Sequence, residues 1–479
     1  MPLTRSQAGS EVSTPSALTT GDNAAGSASE SDAGARNPKS GRRLVAAALL
    51  RSIIAVLVGS LILRLAAQMM SLMLQSYLKS DYFRISHTTQ GFIMASFFVA
   101  ELLGSPLLGA LSDRYGRRRF IILGPIFGAI AVQITSMTMA IWLIVITRLL
   151  EGLSTASAIP ATLGYISEIT KGRPRLRARI IGLFEITFVG GMAIGAVVGG
   201  KLWEFFGNES TVAGFRVLSP AFSINGLIYL LSLAVFAWGL RAVSHRPQAS
   251  PSNGRSGDKL KRYLAILRSP RVWILVPAWL AVNSVIGMWV NHFIGLFTGK
   301  DRYDGQLLMG HWADSQDVVY NGFAVLLITF AAGVLAWSFV LARYRRTSVM
   351  LAAVGGLGVT LPAVYGLNHL GPSSGLHVFP LIASLFIGVM MLSGFAPAAL
   401  TYLADVTEAH TRDRGSILGL YTVFLGVGQS IGAVTGGFFA TRGGIDGLLL
   451  LSAIFGAITA LTLVALRKQE RLATAEPPG

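Results

Sequence analysis

The sequence predicts an all-α membrane protein in which twelve transmembrane helices form two pseudo-symmetric six-helix bundles. Of its 479 residues, 52% are hydrophobic and only 13% are charged, and the mean hydropathy is +0.58. A soluble multidomain protein is less apolar and carries a larger share of charged residues. The apolar residues also fall into segments of about 20 residues, the length that crosses a bilayer core. One pattern of residues recurs in both halves of the chain, as a duplicated bundle requires.

Five regions follow one another along the chain. Residues 1–43 are rich in Ser, Ala, Gly and Thr and almost lack large apolar side chains, which predicts a disordered N-terminal tail without a cleaved signal peptide. The first bundle is predicted over 44–240, a linker over 241–271, the second bundle over 272–466 and a second tail over 467–479. The twelve spans are predicted near 53–77, 88–111, 119–138, 141–165, 180–202, 218–240, 272–297, 319–341, 348–369, 376–403, 416–440 and 446–466.

The loops that carry positive charge set the expected orientation. Lys and Arg residues concentrate in the loops after spans 2, 4, 6, 8 and 10 and are sparse in the loops after the odd-numbered spans. Because such residues stay on the cytoplasmic side, we expect both termini in the cytoplasm and the protein in the cytoplasmic membrane. The net charge of +17 is therefore interpreted as an orientation signal and not as a nucleic-acid surface.

The linker over 241–271 begins with a segment rich in Pro, Ser and Gly and ends with an amphipathic one. Its second part places Leu260, Tyr263, Leu264 and Leu267 on one helical face, which predicts a short helix on the inner membrane surface. A docking role for a partner is the alternative to a simple lipid-facing linker.

An internal repeat supports the division into two bundles. Seven pairs of residues share one offset of 237 positions, as in 419 minus 182, and they include proline, tyrosine and acidic pairs as well as glycines. Such a set indicates duplication of a six-helix unit. The pairs are Gly182 and Gly419, Pro160 and Pro397, Tyr165 and Tyr402, Glu168 and Asp405, Gly195 and Gly432, Gly199 and Gly436, and Gly200 and Gly437.

The most specific motif lies between spans 2 and 3. The segment 109–119 resembles the G-x-L-x-D-R-x-G-R-R loop of the major facilitator superfamily, with matches at Gly109, Leu111, Asp113, Arg114, Gly116, Arg117 and Arg118. The resemblance covers roughly 44–470 and implies the major facilitator fold, with substrate held between the two halves. Glycine at Gly109 permits close helix approach and at Gly116 a tight turn, and the carboxylate of Asp113 needs a fixed positive partner.

The same resemblance implies an inner gate. We expect Asp113 and Arg117 to form a charge cluster with Glu168 at the cytoplasmic end of span 4. In the second half, Asp405 is expected to meet Arg345 or Arg346 in the same way.

Two further segments resemble elements of this superfamily. Arg148-Leu-Leu-Glu-Gly152 resembles R-x-x-Q-G, whose arginine is tied to proton transfer, with Glu151 in place of the usual glutamine. The segment 190–200 resembles the antiporter element G-x-x-x-G-P-x-x-G-G, with Ala196 in place of the proline. Tight helix packing by small residues is the alternative reading of this second segment.

Five charged residues lie inside the predicted spans of the first half, and they are Arg64, Glu101, Arg148, Glu151 and Glu185. A charge at mid-membrane is costly, so such residues face a watery cavity or one another. Three acids against two bases leave one carboxylate without a partner, and we expect it to bind the coupling proton. Glu101 and Glu151 are the first candidates and Glu185 is the next, unless its side chain reaches the membrane interface.

The polar residues of the second-half spans are candidate substrate contacts, namely Asn283, Trp289, Asn291, Tyr421 and Gln429. Each of them can equally serve helix packing. Arg64 in span 1 suits recognition of a carboxylate.

The expected function is secondary transport by alternating access, with proton-coupled export of drug-like or amphipathic compounds. Proton-linked uptake of an organic anion is the alternative. A membrane-embedded enzyme or receptor is disfavoured, because no metal-binding, nucleophilic or phosphate-binding motif is present, and the chain lacks cysteine. The expected partners are a small-molecule substrate, protons and membrane lipid, with a monomer as the working unit and no cofactor, metal or nucleic acid.

Overall fold

The computed structural model describes residues 38–81, 83–212, 215–240, 270–311, 315–341, 343–370, 375–406 and 414–475. It divides into two units, Met1–Ala48 and Leu49–Gly479. In the first unit the described residues begin helix α1, and all contacts discussed below belong to the second. The predicted disorder of the tail over 1–37 and the predicted interfacial helix of the linker lie outside the described residues.

Twelve helices make up the described part of the chain, and their lengths follow from the long apolar segments of the sequence. The first half contains α1 (Pro38–Lys79), α2 (His87–Tyr115), α3 (Arg117–Met137), α4 (Ile141–Ile169), α5 (Pro174–Phe206) and α6 (Pro220–Gly239). The second half contains α7 (Pro270–Thr298), α8 (Gln316–Val340), α9 (Arg346–His369), α10 (Gly375–Leu392), α11 (Phe395–Val406) and α12 (Arg414–Ala475).

The prediction of twelve spans is confirmed, although the boundaries of helices and spans differ in the second half. Helices α10 and α11 together supply one apolar span, Val378–Leu403. Helix α12 is 62 residues long and contains one residue with non-helical backbone angles, Gly444, at φ 58° and ψ −134°. Its apolar stretch Val423–Gln469 is too long for one crossing and is therefore read as two spans that meet at Gly444.

The chain is not purely helical. Strands β1 (Ser210–Val212) and β2 (Phe215–Val217) form a short antiparallel hairpin between α5 and α6, with Ser210 opposite Val217. The sequence analysis missed this hairpin, because three-residue strands are too short to show an alternating pattern.

The internal repeat appears as repeated helix contacts. On α5, a Cβ on Gly195 would lie 2.6 Å from the carbonyl oxygen of Leu65 in α1. On α12, a Cβ on Gly432 would lie 2.8 Å from Cα of Ser284 in α7. Each bundle thus brings its fifth span against its first across glycines, because only a residue without Cβ allows this approach. The equivalent glycines are Gly191, Gly195 and Gly199 on α5 and Gly428, Gly432 and Gly436 on α12.

The two halves join at one end of the molecule. We call this the sealed end, formed by 72–91, 200–206, 290–303, 315–320 and 433–441. Hydrogen bonds and ion pairs between 49–240 and 270–475 concentrate there. The opposite end, which we call the basic end, carries 113–119, 168–179 and 341–347.

Candidate transport site

A charge cluster lies at the basic end between α2, α3 and α4. Gly116 alone separates α2 from α3, and its φ of 101° is a conformation that favours glycine. Its amide N–H donates to the carbonyl of Ser112, which turns the chain back sharply. The turn places Nη2 of Arg117 2.7 Å from Oδ1 of Asp113 and Nε of Arg117 2.5 Å from Oε1 of Glu168.

Gly164 makes room for this cluster. A Cβ on Gly164 would overlap Nη1 and Cζ of Arg117 and lie within 2.8 Å of its Nε. The guanidinium group therefore lies against the α4 backbone one turn before Glu168. By contrast, a Cβ on Gly109 would meet Pro160 at an ordinary 3.5 Å, so Gly109 is not needed for close approach. The sequence analysis named Gly109 and missed Gly164, because a helical glycine does not reveal which side chain covers it.

The structure adjusts the predicted inner gate in two ways. Helix α2 continues to Tyr115, so Asp113 and Arg114 lie on its last turn and not in a loop. The predicted contact of Arg117 with Asp113 and Glu168 is present, whereas its role as a gate stays a prediction. The side chain of Asp405 lies outside the described part, so its contact with Arg345 or Arg346 also stays a prediction.

A second ion pair lies in the middle of α4. Nη1 of Arg148 contacts Oε2 of Glu151, one helical turn away, and both side chains are only 3% exposed. The guanidinium carbon of Arg148 lies 4.9 Å from the ring centre of Phe97 on α2. Gly152 permits this approach, because a Cβ there would meet Ala100 and the backbone of α2. Glu151 therefore has a fixed partner within its own helix.

Arg64 on α1 is the centre of a third group of charges. Its guanidinium carbon lies 4.0 Å from the ring centre of Phe188 on α5. Glu101 of α2 and Glu185 of α5 are the carboxylates that act on it electrostatically, yet neither makes an ion pair within 4.0 Å among the described residues. Nη2 of Arg64 is buried and has no hydrogen-bond partner within the described part of the chain. The same is true of Nε2 of Gln68, one turn along α1.

The charge balance inside the first half can now be assigned. Arg148 is occupied by Glu151, so Glu101 and Glu185 share the single cation of Arg64. Glu185 is exposed and Glu101 is partly exposed, which leaves both open to a proton or a cationic ligand. The surplus carboxylate predicted from the sequence is therefore Glu101 or Glu185.

Tyr229 on α6 links these two groups of charges and was missed by the sequence analysis. The ring is 1% exposed and interacts electrostatically with Arg64, Arg148 and Glu151. A Cβ on Gly128 of α3 would lie 2.5 Å from its Cδ1. A single tyrosine in an apolar span gives no distinguishing sequence signal.

The polar residues of the second half have mostly structural partners. Asn283 and Asn291 donate their amide hydrogens to carbonyls four residues earlier, at 2.9 Å and 2.7 Å. Nε1 of Trp289 donates to Ser452 at 3.0 Å. Gln429 is half-buried with no hydrogen bond among the described residues, and the side chain of Tyr421 lies outside them. Their substrate role stays a prediction. Among those whose side chains are described, Gln429 is the one whose side chain makes no hydrogen bond to the described residues.

The glycine-rich segment of α5 has two functions in the structure. Gly191 and Gly195 pack α5 on α1 within one half, as the packing interpretation requires. Gly200 instead faces the other half, since a Cβ there would lie 2.6 Å from Cβ of Tyr320 on α8. In the same way, Gly437 on α12 faces the backbone of His87 and Thr88 on α2.

The sealed end contains an ion pair that crosses from one half to the other. Nζ of Lys79, whose side chain is 4% exposed, lies 2.6 Å from Oδ2 of Asp301. Nε2 of His87 lies 3.3 Å from the same oxygen, outside hydrogen-bond geometry. The neighbouring His87 and Lys79 hold the pKa of the Asp301 carboxyl well below its usual range, against the opposing effect of burial. Asp301 is therefore ionised at every physiological pH.

Two glutamines of the first half also reach the backbone of α7. The side chain of Gln75 donates to the carbonyl of Val290 at 2.9 Å and accepts from the amide of Ile294 at 3.1 Å. Gln90 donates to the carbonyl of Asn291 at 2.9 Å. These contacts join residues far apart in the sequence, so no local pattern could have predicted them.

The sequence is similar to those of known membrane transporters. A model of the Major Facilitator Superfamily matches residues 56–313 and 305–479. The chain is 23% identical over 361 residues to Multidrug resistance protein 1 of Bacillus subtilis (strain 168). The aligned region covers 74% of this chain and 81% of that protein. It is 30% identical over 215 residues to Tetracycline resistance protein, class C, of Escherichia coli, which covers 44% and 50% of the two chains.

Solved structures share the fold at low sequence identity. The nucleoside transporter NupG matches with a TM-score of 0.66 and 15% identity, over 87% of this chain and 98% of that one. A bacterial homolog of the human lysosomal transporter Spinster, in an inward-facing and occupied conformation, matches with a TM-score of 0.64 and 13% identity, over 89% and 98% of the chains.

Proposed function

The chain belongs to the Major Facilitator Superfamily, and we propose that it exports amphipathic, drug-like compounds in exchange for protons by alternating access. The proteins of this family are membrane transporters and not enzymes, and the chain is a multi-pass membrane protein. The finer assignment of substrate, direction and coupling ion is the proposal.

The observation that carries the proposal is the shared cation of the first half. Glu101 and Glu185 both act on Arg64, and the other arginine, Arg148, is already paired. With both carboxylates ionised, this group has one negative charge in excess. A proton or a cationic substrate can neutralise that charge, but the two compete for it, and such competition couples their movements in opposite directions.

Two further observations support export of amphipathic compounds. The rings of Phe188 and Phe97 lie beside Arg64 and Arg148, so aromatic surface adjoins the charges. Relatives of similar sequence are named for resistance to multiple drugs and to tetracycline.

We further propose that the basic end faces the cytoplasm and that the monomer is the working unit. The concentration of Lys and Arg in the loops of that end supports this orientation. With the halves joined at the sealed end, the present arrangement then corresponds to a transporter closed to the outside.

The test uses proteoliposomes with an imposed pH difference and two probes, tetracycline and the lipophilic cation ethidium. The wild-type protein should concentrate a probe on the acidic side. Glu101→Gln should abolish this accumulation yet retain exchange of labelled for unlabelled probe, because the amide keeps the shape but not the proton. Glu204→Gln is the matched control, since Glu204 is an exposed residue of α5 paired with Lys201.

Two results would count against the proposal. One is accumulation by Glu101→Gln equal to that of Glu204→Gln, in which case the proton is carried elsewhere and Glu185→Gln is the next variant. The other is no pH-driven movement of either probe by the wild-type protein.

A second candidate function is proton-linked uptake of an organic anion. The buried and unpartnered Nη2 of Arg64 and Nε2 of Gln68 favour it, because both atoms are donors that an acceptor group of a substrate would satisfy. Radiolabelled benzoate and benzamide test this reading. If Arg64 holds a carboxylate, Arg64→Lys should weaken benzoate binding but not benzamide binding, since a point charge cannot replace the planar fork. Equal binding of the two probes in both proteins would exclude it.

A further inference from the structure

His87 occupies an unusual position at the sealed end. It is the first residue of α2, is 2% exposed, and lies where both halves meet. A Cβ on Gly437 of α12 would lie 3.0 Å from its carbonyl carbon, so the second half covers its backbone. Among the described residues Nδ1 has no hydrogen-bond partner, and Nε2 lies 3.3 Å from Oδ2 of Asp301 without forming a hydrogen bond. A buried imidazole that lacks a well-formed hydrogen bond is costly, and an arrangement that admits water to the ring relieves that cost.

The charged and titratable groups around His87 come from three elements. From α1, the buried ammonium group of Lys79 approaches the same carboxylate oxygen as His87 does. From the segment after α7, Asp301 supplies that carboxylate. From α7 itself, the ring of His292 lies 6.1 Å from the His87 ring, and its Nε2 lies 2.8 Å from the carbonyl of Ala433. From α12, Gly437 lies against the backbone of His87 and carries no titratable group.

The charges of these groups sum to zero only while His87 is neutral. Lys79 and Asp301 form a pair of opposite charges, and Asp301 is ionised throughout because its pKa is held well below the usual range. A proton on His87 would add a second buried cation against that one carboxylate. Such an uncompensated charge is unfavourable in a buried interface and favourable in water.

We propose that His87 is a proton-binding site of the sealed end, and that its protonation separates the two halves there. The open arrangement exposes the imidazole to water and thereby accepts the proton, whereas the sealed arrangement excludes it. Acidification on that side therefore shifts the population towards the open arrangement. This site is separate from the carboxylates near Arg64, and the inference holds for export and for uptake alike.

The expected size of the effect follows from the ordinary titration of histidine. A histidine in water has a pKa of about 6.5, so it changes from mostly neutral to mostly charged between about pH 7.5 and 5.5. If only the open arrangement accepts the proton, the ratio of open to sealed molecules rises about tenfold over that range. Asp301 remains ionised across the whole range and does not contribute.

The absence of cysteine from the chain allows a direct test. Ser76→Cys places a single thiol at a site that is 6% exposed and contacts Tyr320 of the other half at 3.0 Å. Intact cells are treated with a membrane-impermeant maleimide at external pH 7.5 and 5.5. Asp304→Cys, at an exposed position directly after the segment 290–303 of the sealed end, corrects for the pH dependence of the reagent and tests whether this end faces outwards.

We expect labelling of Ser76→Cys to rise about tenfold on acidification after this correction. His87→Gln should remove the rise, and His87→Lys should give high labelling already at pH 7.5, because its charge is permanent. His369→Gln is the matched control and should keep the rise, since His369 pairs with Asp446 inside the second half at 2.9 Å. Ser232→Cys, whose native hydroxyl is buried within the first half, should stay unlabelled in every background that is folded.

The proposal is overturned if labelling of Ser76→Cys still rises on acidification when His87→Gln is also present. It is also overturned if labelling of Ser76→Cys with the native His87 does not change with pH while Asp304→Cys reacts with the reagent. If Ser232→Cys becomes labelled in the His87→Gln protein, that protein is unfolded, and the His87→Lys protein then tests the proposal. Low labelling of a folded His87→Lys protein at pH 7.5 would then overturn it.

Discussion

Replacement of Gly164 by alanine should disrupt the charge cluster at the basic end. The new Cβ would overlap Nη1 and Cζ of Arg117. To reach ordinary contact, the guanidinium group has to retreat by about 2 Å. Nε cannot then stay 2.5 Å from Glu168 while Nη2 stays 2.7 Å from Asp113.

The size of the effect depends on how exposed the partners are. The side chains of Arg117, Glu168 and Asp113 are 20%, 31% and 61% exposed, so water screens both contacts, and the contact with Asp113 more strongly. We expect the two together to contribute about 1 to 2 kcal/mol, with most of it from Glu168. That corresponds to about a 5- to 30-fold larger population of the open turn, and to the same factor in amide exchange.

Hydrogen–deuterium exchange of the amides in 112–119 measures this opening without a known substrate. Gly164→Ala should accelerate exchange there, and Asp113→Ala should do so less strongly. The matched control is Gly182→Ala on α5, where a Cβ meets nothing within 4 Å. If the cluster acts as a gate, both cluster variants should also express normally but fail to transport. Exchange in Gly164→Ala equal to that in Gly182→Ala would refute the assigned role of Gly164, and normal transport by Asp113→Ala would refute the gate.

Two other predictions concern the pairs that hold the helices together. Glu151→Gln leaves Arg148 buried without its partner, so the free energy of unfolding should fall by about 3 kcal/mol. Thermal unfolding in detergent measures this, with Glu204→Gln as the control, and equal midpoints for the two variants would contradict it. Gly200→Ala pushes against Tyr320, whose hydroxyl contacts Ser76 and donates to the carbonyl of Leu72 at 3.2 Å. The Ser76→Cys protein already lacks the serine hydroxyl, so loss of the remaining bond to Leu72 should raise its labelling about fivefold at pH 7.5, whereas the control Gly322→Ala, which meets nothing within 4 Å, should not.

Hydropathy was sufficient to predict the spans, because a bilayer requires an apolar helix of fixed length whatever it packs against. It also located the boundary between the last two spans, which was predicted between 440 and 446, and Gly444 is the residue of α12 with non-helical backbone angles. The pairing of Arg148 with Glu151 was within reach of the sequence, because residues three apart are neighbours on a helix. The contact of Arg117 with Glu168 required the family resemblance, since those residues lie on different helices.

The sealed end shows where sequence reasoning reached its limit. Lys79, His87 and Asp301 lie in or beside short connecting segments, where a charged residue is ordinarily interpreted as a solvated one. Their significance comes from burial between two halves that are far apart in sequence. The buried asparagines of α7 bond to their own helix, and whether they also contact substrate stays a prediction.

The glutamine contacts to α7 affect the free-energy difference between the sealed and open arrangements of the protein. The amide of Ile294 and the carbonyl of Val290 are four residues apart on the continuous helix α7, which is the spacing of an intrahelical hydrogen bond, and both groups also bond to the side chain of Gln75. When the halves part, the two backbone groups still have each other as partners and the glutamine can bond to water. No polar group need be left without a partner, and a net hydrogen bond is worth only about 1 kcal/mol. The two conformations can therefore be nearly equal in free energy, which is what a transporter needs in order to cycle quickly.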